Sequence, residues 1–425
     1  MLLAAANLLR DGNDVCIIVG ISYPTRRVKR IVILHLGNYL LIPDSGVARK
    51  TFAIADSMRN MGLEVHCVAF PFLYSGNYTP NPSVEVVFEK ESVVYEAITH
   101  FFRTKIQRGD IVLFRYPFAT SALVNLVREF GHQIIFEHNT IESVEVLMLQ
   151  RSHLGRLPFS WRPSYLRYAF QTRILQQTDE TRLGPLVLNH SQGGICVSHE
   201  IAKYEVDRCG SYSTAVVANG SGVPAASNLQ VMPFQNNLRV CMIIGSPAIW
   251  HGYDRMFEGL KHLSEENCTI WIDIIGMDKP KDQQESEYGG HRVQWLGVMN
   301  QEEIARHLQQ CHMAIGTLAL FRKKMKEASP LKVRECLMQG MPMILGYYDT
   351  DVSADERFSP YIFQVSNSDE PINWSKVVSF YKGLSQNRNH KLEIAQLAGE
   401  VLSMQKKAEA YVAFMRTRFE AARLK

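Results

Sequence analysis

One pattern constrains this chain more than any other. Short runs of β-branched and aliphatic residues recur between amphipathic helical stretches, and the rhythm breaks once near the middle. Such alternation is the mark of parallel βαβ units. Before the break the runs are Arg30–Leu36, Glu64–Ala69, Asp110–Tyr116, Gln133–Glu137, Gly194–Val197 and Ala215–Ala218. After it they are Leu238–Gly245, Thr269–Gly276, Val293–Leu296, Met313–Gly316, Met341–Leu345 and Tyr361–Val365. Ile111-Val-Leu-Phe114 is apolar without interruption, as a strand covered on both faces must be. The fold class is therefore α/β, with two consecutive doubly wound, Rossmann-like domains. Length agrees: 425 residues exceed what one hydrophobic core supports, roughly 250–300 residues.

The expected plan is a first domain over 28–220, a polar connector over 221–237, a second domain over 238–390 and C-terminal helices over 391–425. Residues 1–27 contain a strand-like Val15–Ile21 but stand outside this plan and read as an N-terminal extension.

Composition narrows the function. A formal net charge of +4 gives no basic face of the kind that nucleic acid requires. The eight cysteines (16, 67, 196, 209, 241, 268, 311 and 336) are scattered, with no CxxC pair and no histidine read at metal-ligand spacing. Most sit in apolar runs, where a thiol behaves as a small hydrophobe, so a reducing, cytoplasmic setting and no bound metal are expected. No apolar stretch approaches the roughly 18 residues of a membrane span. Arg151–Arg182 is the local exception to the even charge, with six arginines interleaved with Phe159, Trp161, Tyr165, Tyr168 and Phe170. Two readings stand: a peripheral contact with the inner face of an anionic membrane, or a solvated helix packing its aromatics on the first sheet.

The most informative stretch runs from Gly316 to Gly346. Ser329 is expected as an N-cap, Pro330 at the first helical position, and Gly340 as the stop before Pro342, giving a helix of about ten residues. The N–H groups around Ser329, Leu331 and Lys332 would then face an anionic phosphate. Glu327 lies just before this helix end and Glu335 about a turn and a half inside. That spacing suits one carboxylate reaching a sugar hydroxyl and the other accepting two vicinal ribose hydroxyls.

Glu327-x7-Glu335, the Pro-Leu-Lys-x-Arg-Glu core and the Gly-x-Pro strand that follows resemble the donor site of retaining GT-B glycosyltransferases of the large GT4 group. The resemblance implies a GT-B fold with a cleft between the two domains. It also implies a nucleotide-diphosphate sugar as co-substrate, Glu335 on the nucleotide ribose and Glu327 near the donor sugar. Ser329, Leu331, Lys332 and Arg334 would complete the donor side. Leu36–Arg49 is similar to the family's first glycine loop, with Gly46 allowing close approach of a phosphate or acceptor before a helix over Lys50–Met61. Ile134-Ile-Phe-Glu137-His138-Asn139 is similar to the segment whose histidine lies beside the reacting sugar, with Glu137 and Asn139 flanking it. Val197-Ser198-His-Glu-Ile201 matches a capped strand-to-helix turn, and the last helix is expected to cross back to the first domain.

The departure from the family lies at Gly245-Ser-Pro-Ala-Ile-Trp250-His251-Gly252. Many GT4 enzymes carry an Arg and a Lys there, which clamp the donor pyrophosphate. Ser246 and His251 stand at those places here. The substitutes are His251, Lys332, Arg334 or the run Arg322–Lys326. No protein nucleophile is expected, and Asp349-Thr-Asp351 reads as a donor-side loop, so metal independence is expected. The implied function is retaining transfer of a sugar to a polysaccharide or lipid-linked acceptor in surface glycan synthesis. The alternative is a non-catalytic GT-B-like protein that binds a nucleotide sugar or acts as a scaffold.

Overall fold

The computed structural model describes residues 30–42, 45–71, 83–87, 94–141, 144, 179–227, 229–245, 248–263, 268–278, 288 and 290–421. The strand-like Val15–Ile21 and most of the basic aromatic stretch lie outside them. Among the described residues, two all-parallel sheets account for nearly all the strands.

The first sheet contains β1 (Arg30–Leu36), β2 (Glu64–Phe70), β3 (Val84–Val86), β4 (Ile111–Arg115), β5 (Ile134–His138), β6 (Gly193–Cys196) and β7 (Thr214–Val216), in the order β3-β2-β1-β4-β5-β6-β7. Its register sets Ile31 of β1 against Val65 on one side and Ile111 on the other. The second sheet contains β8 (Asn237–Ile243), β9 (Thr269–Ile275), β10 (Arg292–Trp295), β11 (Met313–Ile315), β13 (Met343–Leu345) and β15 (Ile362–Gln364), in the order β10-β9-β8-β11-β13-β15. A two-residue pair, β12 (Glu327–Ala328) with β14 (Tyr348–Asp349), lies apart from both.

Side chains alternate across each strand, so every sheet carries two cores. On the first sheet Ile134 and Phe136 face helices Val94–Lys105 and Ser121–Phe130, while Ile135 faces helix Gly46–Asn60 and the terminal helix Met404–Ala421. The last helix thus returns to the first sheet, contributing Met404, Ala408, Tyr411, Val412 and Met415 to that core. On the second sheet one face packs helices Leu331–Met338 and His390–Leu402, and the other packs Tyr253–Leu260 and Trp374–Leu384. The first of these cores also takes in Ile141, Val197 and Ile201 of the first half, so apolar contact is continuous between the halves. The 221–237 stretch is tied by backbone bonds: the Ser221 N–H donates to Leu402 O and the Ala226 N–H to Met338 O.

Candidate functional site

In open α/β sheets, ligands settle beyond the carboxyl ends of the strands where strand order reverses. In the second sheet that point lies between β8 and β11. Two side chains from elsewhere meet there. The Lys332 ammonium donates to the carbonyl of Ile243, the last residue of β8, at 3.0 Å and lies 3.1 Å from His251 Nδ1. Burial of its stem pulls the Lys332 ammonium down to about 8. His251 ends a short 3-10 turn (Ile249–His251) held by Gly252 at φ 70, a left-handed value natural to glycine. A Cβ there would meet Ala319 Cβ at 2.9 Å. That close approach lets the N–H groups of Leu318 and Ala319 donate to the carbonyls of His251 and Trp250.

Helix Leu331–Met338 also presents Glu335. A cleft of about 680 Å³ opens between this helix, helix Gln301–Leu308 and the first-half helix Gly46–Asn60, lined by Arg49, Lys50, Glu302, Leu331 and Glu335 among others. Arg49 faces Glu335 at 3.2 Å. Burial pushes the Glu335 carboxyl up, while Arg49 pulls it down. Lys50 is held by Glu137 at 2.8 Å and Asn139 at 2.7 Å.

Glu327 bridges the halves. One carboxylate oxygen accepts from the Glu200 N–H at 2.8 Å, and the other lies 2.9 Å from His199 Nδ1. These groups form the start of helix His199–Cys209, where unsatisfied N–H groups favour negative charge. The contact is reciprocal, because the Glu200 carboxylate accepts from the N–H groups of Lys326 and Glu327 at 2.8 and 2.9 Å.

No protein-family model matches this chain. No curated protein matches it either. Solved structures do. A glycosyltransferase from Rickettsia africae aligns at TM-score 0.56 and 11% identity, covering 92% of this chain and 98% of that one. Anabaena HepE in complex with UDP aligns at TM-score 0.57 and 14% identity, covering 91% and 100%. WaaG, a glycosyltransferase involved in lipopolysaccharide biosynthesis, aligns at TM-score 0.56 and 12% identity, covering 89% and 98%. The fold is GT-B. Identities this low carry the fold and no further.

Within this GT-B fold, several expected site residues stand elsewhere than the sequence suggests. Ser329 is not the N-cap, since helix Leu331–Met338 is preceded by Pro330, which has no side chain to cap with. The Ser329 hydroxyl instead accepts from the Asn219 N–H at 2.7 Å, and its carbonyl accepts from Asn219 Nδ2 at 2.5 Å, tying the end of the first half to the second. Gly340 does end the helix turn, at φ 71. Gly46 is the first residue of a helix capped by Ser45, whose hydroxyl accepts from the Ala48 N–H. Its φ is not positive, and a Cβ would meet only Leu331 Cδ1 at an ordinary 3.5 Å, so no glycine is required.

His138 does not face the cleft. The period of two puts it on the same face of β5 as Ile134 and Phe136, inside the first half and 0% exposed. Its ring packs on Tyr116 at 4.8 Å, with Tyr212 OH at 3.3 Å and Glu205 at 3.4 Å. Burial lowers its pKa, and Glu205 opposes the shift. Glu137, on the opposite face, accepts from Lys50, from Tyr411 OH at 2.6 Å and from Asn139 at 3.1 Å. It joins β5, the first helix and the last helix, and is not an exposed phosphate or acceptor contact.

Arg334 is not available to a pyrophosphate. It is fully buried and bidentate on Asp349 at 2.5 and 2.6 Å, and its Nε donates to Asn219 O at 3.0 Å. Asp351 pairs with Lys407 at 2.9 Å, so the Asp-Thr-Asp loop is structural. Arg322 is likewise committed, to Asp254 at 2.7 Å and Asp369 at 2.5 Å. Ser246 and residues 151–178 lie outside the described residues. Arg182 is on the helical residues 179–189, within 3.4 Å of Asp179. No helix among the described residues is long and apolar enough to cross a membrane.

Arg49, Lys50, His199 and Glu200 were missed from sequence. All four reach the cleft or Glu327 only because helices distant in the chain are brought against the second half. Ser198, read only as a cap, does cap its helix, accepting from the Ile201 N–H at 3.2 Å. The structural signal at that cap is its two following residues, which carry the tie to Glu327.

Proposed function

We propose that this protein is a glycosyltransferase that moves a sugar from a nucleotide-diphosphate donor to a glycan or lipid-linked acceptor, with retention at the anomeric carbon. The observation that carries the reading is the meeting of Lys332 and His251 at the carboxyl end of β8, the switch point of the second sheet, with Glu335 presented to the cleft from the same helix as Lys332. In this reading the second half holds the donor. Glu335 accepts the two ribose hydroxyls, having released Arg49, and Leu331 packs beside the nucleotide. Lys332 and His251 take the place of the usual Arg/Lys clamp, neutralising the charge that grows on the leaving nucleoside diphosphate. Glu327 lies at the boundary between the halves, where a donor sugar would meet it.

The reaction needs no protein nucleophile. The C–O bond to the diphosphate breaks on the face where the acceptor hydroxyl attacks, and the hydroxyl proton leaves with the departing phosphate. HepE has been solved with UDP and with UDP-glucose, which favours a uridine donor as the first to try. Surface glycan synthesis at a cytoplasmic membrane face would suit the basic 151–182 stretch. Absence of binding to anionic vesicles at low salt would count against that part.

A second reading, a nucleotide-sugar-binding scaffold without turnover, is favoured by one observation. Arg322 and Arg334, the strongest candidates for a guanidinium clamp, are both spent on carboxylates. Donor hydrolysis and transfer across a panel of nucleotide sugars separate the two. Turnover that falls at least about tenfold in Lys332→Met supports the enzyme. Tight binding with no turnover on any acceptor supports the scaffold.

A further inference from the structure

Beneath helix Gln301–Leu308, three side chains that the cleft chemistry leaves unused converge. Cys241 lies within β8, His307 is on the last turn of the helix and Cys311 follows the turn. One donor atom from each, two sulfurs and an imidazole nitrogen, lies within 4.8 Å of the others. Both thiols are 0% exposed. The strand register sets Cys241 against Asp273 of β9. Asp273 Oδ2 lies 2.8 Å from His307 Nε2 and 3.9 Å from Cys311 Sγ, and the Arg239 Nε donates to the same oxygen at 2.6 Å.

Simple packing explains buried cysteines. It does not explain an imidazole set beside both sulfurs, with a carboxylate bonded to that imidazole and reaching Cys311. We propose that Cys241, His307 and Cys311 bind one divalent cation of the thiolate-preferring kind, zinc first, with Asp273 orienting the imidazole or completing the set. Two thiolates and an imidazole are a donor set that tetrahedral zinc favours. Around such an ion, with Zn–S of about 2.3 Å, two sulfurs stand roughly 3.8 Å apart. The three donor atoms, all within 4.8 Å of one another, stand close to that spacing. Binding balances as Zn²⁺ plus two thiols giving the dithiolate complex and two protons. A carboxylate bonded to a metal-binding histidine is a common supporting arrangement.

The site takes no part in sugar transfer. It pins helix Gln301–Leu308, which supplies Gln301, Glu302 and Ala305 to the cleft wall, onto β8, whose end carries the Lys332 contact. Its test is therefore independent of the proposed activity. The full-length protein, purified under reductant, is loaded with Zn²⁺ and freed of loose metal. We expect one zinc per chain by plasma mass spectrometry, and Co²⁺ to give a thiolate-to-cobalt charge-transfer band in the near ultraviolet. Cys241→Ser and Cys311→Ser should each lose both signals, Asp273→Asn should weaken binding roughly 10–100-fold, and Cys268→Ser should keep both. Should the serine variants fail to fold, the band in the folded wild type decides alone. A wild-type chain that retains no metal and shows no band overturns the proposal. So does a Cys241→Ser variant that binds as wild type, or a Cys241–Cys311 disulfide found by mass spectrometry in place of metal.

Discussion

Arg334 separates two accounts of the region before Glu335, because it stands among the motif residues yet is sealed off from the cleft. Truncation to alanine removes both hydrogen bonds to Asp349, at 2.5 and 2.6 Å, and the donor to Asn219 O. Both partners of the pair are 0% exposed, so the Asp349 carboxylate is left buried without its direct counter-charge, keeping only longer hydrogen bonds from the Tyr347 hydroxyl and the N–H groups of Asp351 and Val352. Removing one partner of a buried ion pair costs about 3–5 kcal/mol. For a domain of 150–250 residues each kcal/mol shifts the midpoint roughly 2–4 °C, so the second-half transition should fall by roughly 6–20 °C. Scanning calorimetry resolves that transition. The double variant Arg334→Met/Asp349→Leu should recover most of the loss, since an apolar pair of similar volume often matches a buried ion pair. A loss below about 1 kcal/mol with donor affinity falling instead would refute the reasoning and return Arg334 to the clamp.

Three further outcomes follow from the same contacts. Donor affinity should fall as pH rises through about 8, where the buried Lys332 ammonium loses its proton, and Lys332→Met should flatten that profile in calorimetric titrations; an unchanged slope would remove Lys332 from the phosphate site. Tyr411→Phe deletes the hydroxyl that donates to Glu137 at 2.6 Å and should cost roughly 1.5–3 kcal/mol, the worth of a bond to a charged group, measured by denaturant unfolding. Ser329→Ala leaves the Asn219 N–H buried without its acceptor and should cost about 1–3 kcal/mol; a cost no greater than a few tenths would deny it the inter-half tie.

The two sheets were legible because parallel strands covered on both faces must be apolar throughout, and Arg30–Leu36 matches its expected span residue for residue. The two-residue β12 and β14 were not, since two residues carry no period, and the three-residue β3 was passed over. The same periodicity held the correction to the site: Glu137 and His138 are neighbours on a strand and point opposite ways, so the pair cannot both line one cleft. Tertiary partners were illegible, because Arg334 and Asp349, or Glu327 and His199, meet only through packing. The proposed metal-binding group was hidden differently. His307-x3-Cys311 has a ligand-like spacing in the chain, but its third member, Cys241, sits on a strand that only the sheet brings alongside.

The most direct test of the central proposal is calorimetric titration of UDP-sugars and GDP-sugars into the wild type and Glu335→Ala. The expected result is saturable one-site binding of at least one donor, weakened roughly 10–100-fold by the substitution, as loss of charged hydrogen bonds to ribose hydroxyls requires. Wild type that binds no nucleotide sugar, or a Glu335→Ala variant that binds as tightly as wild type, would contradict it.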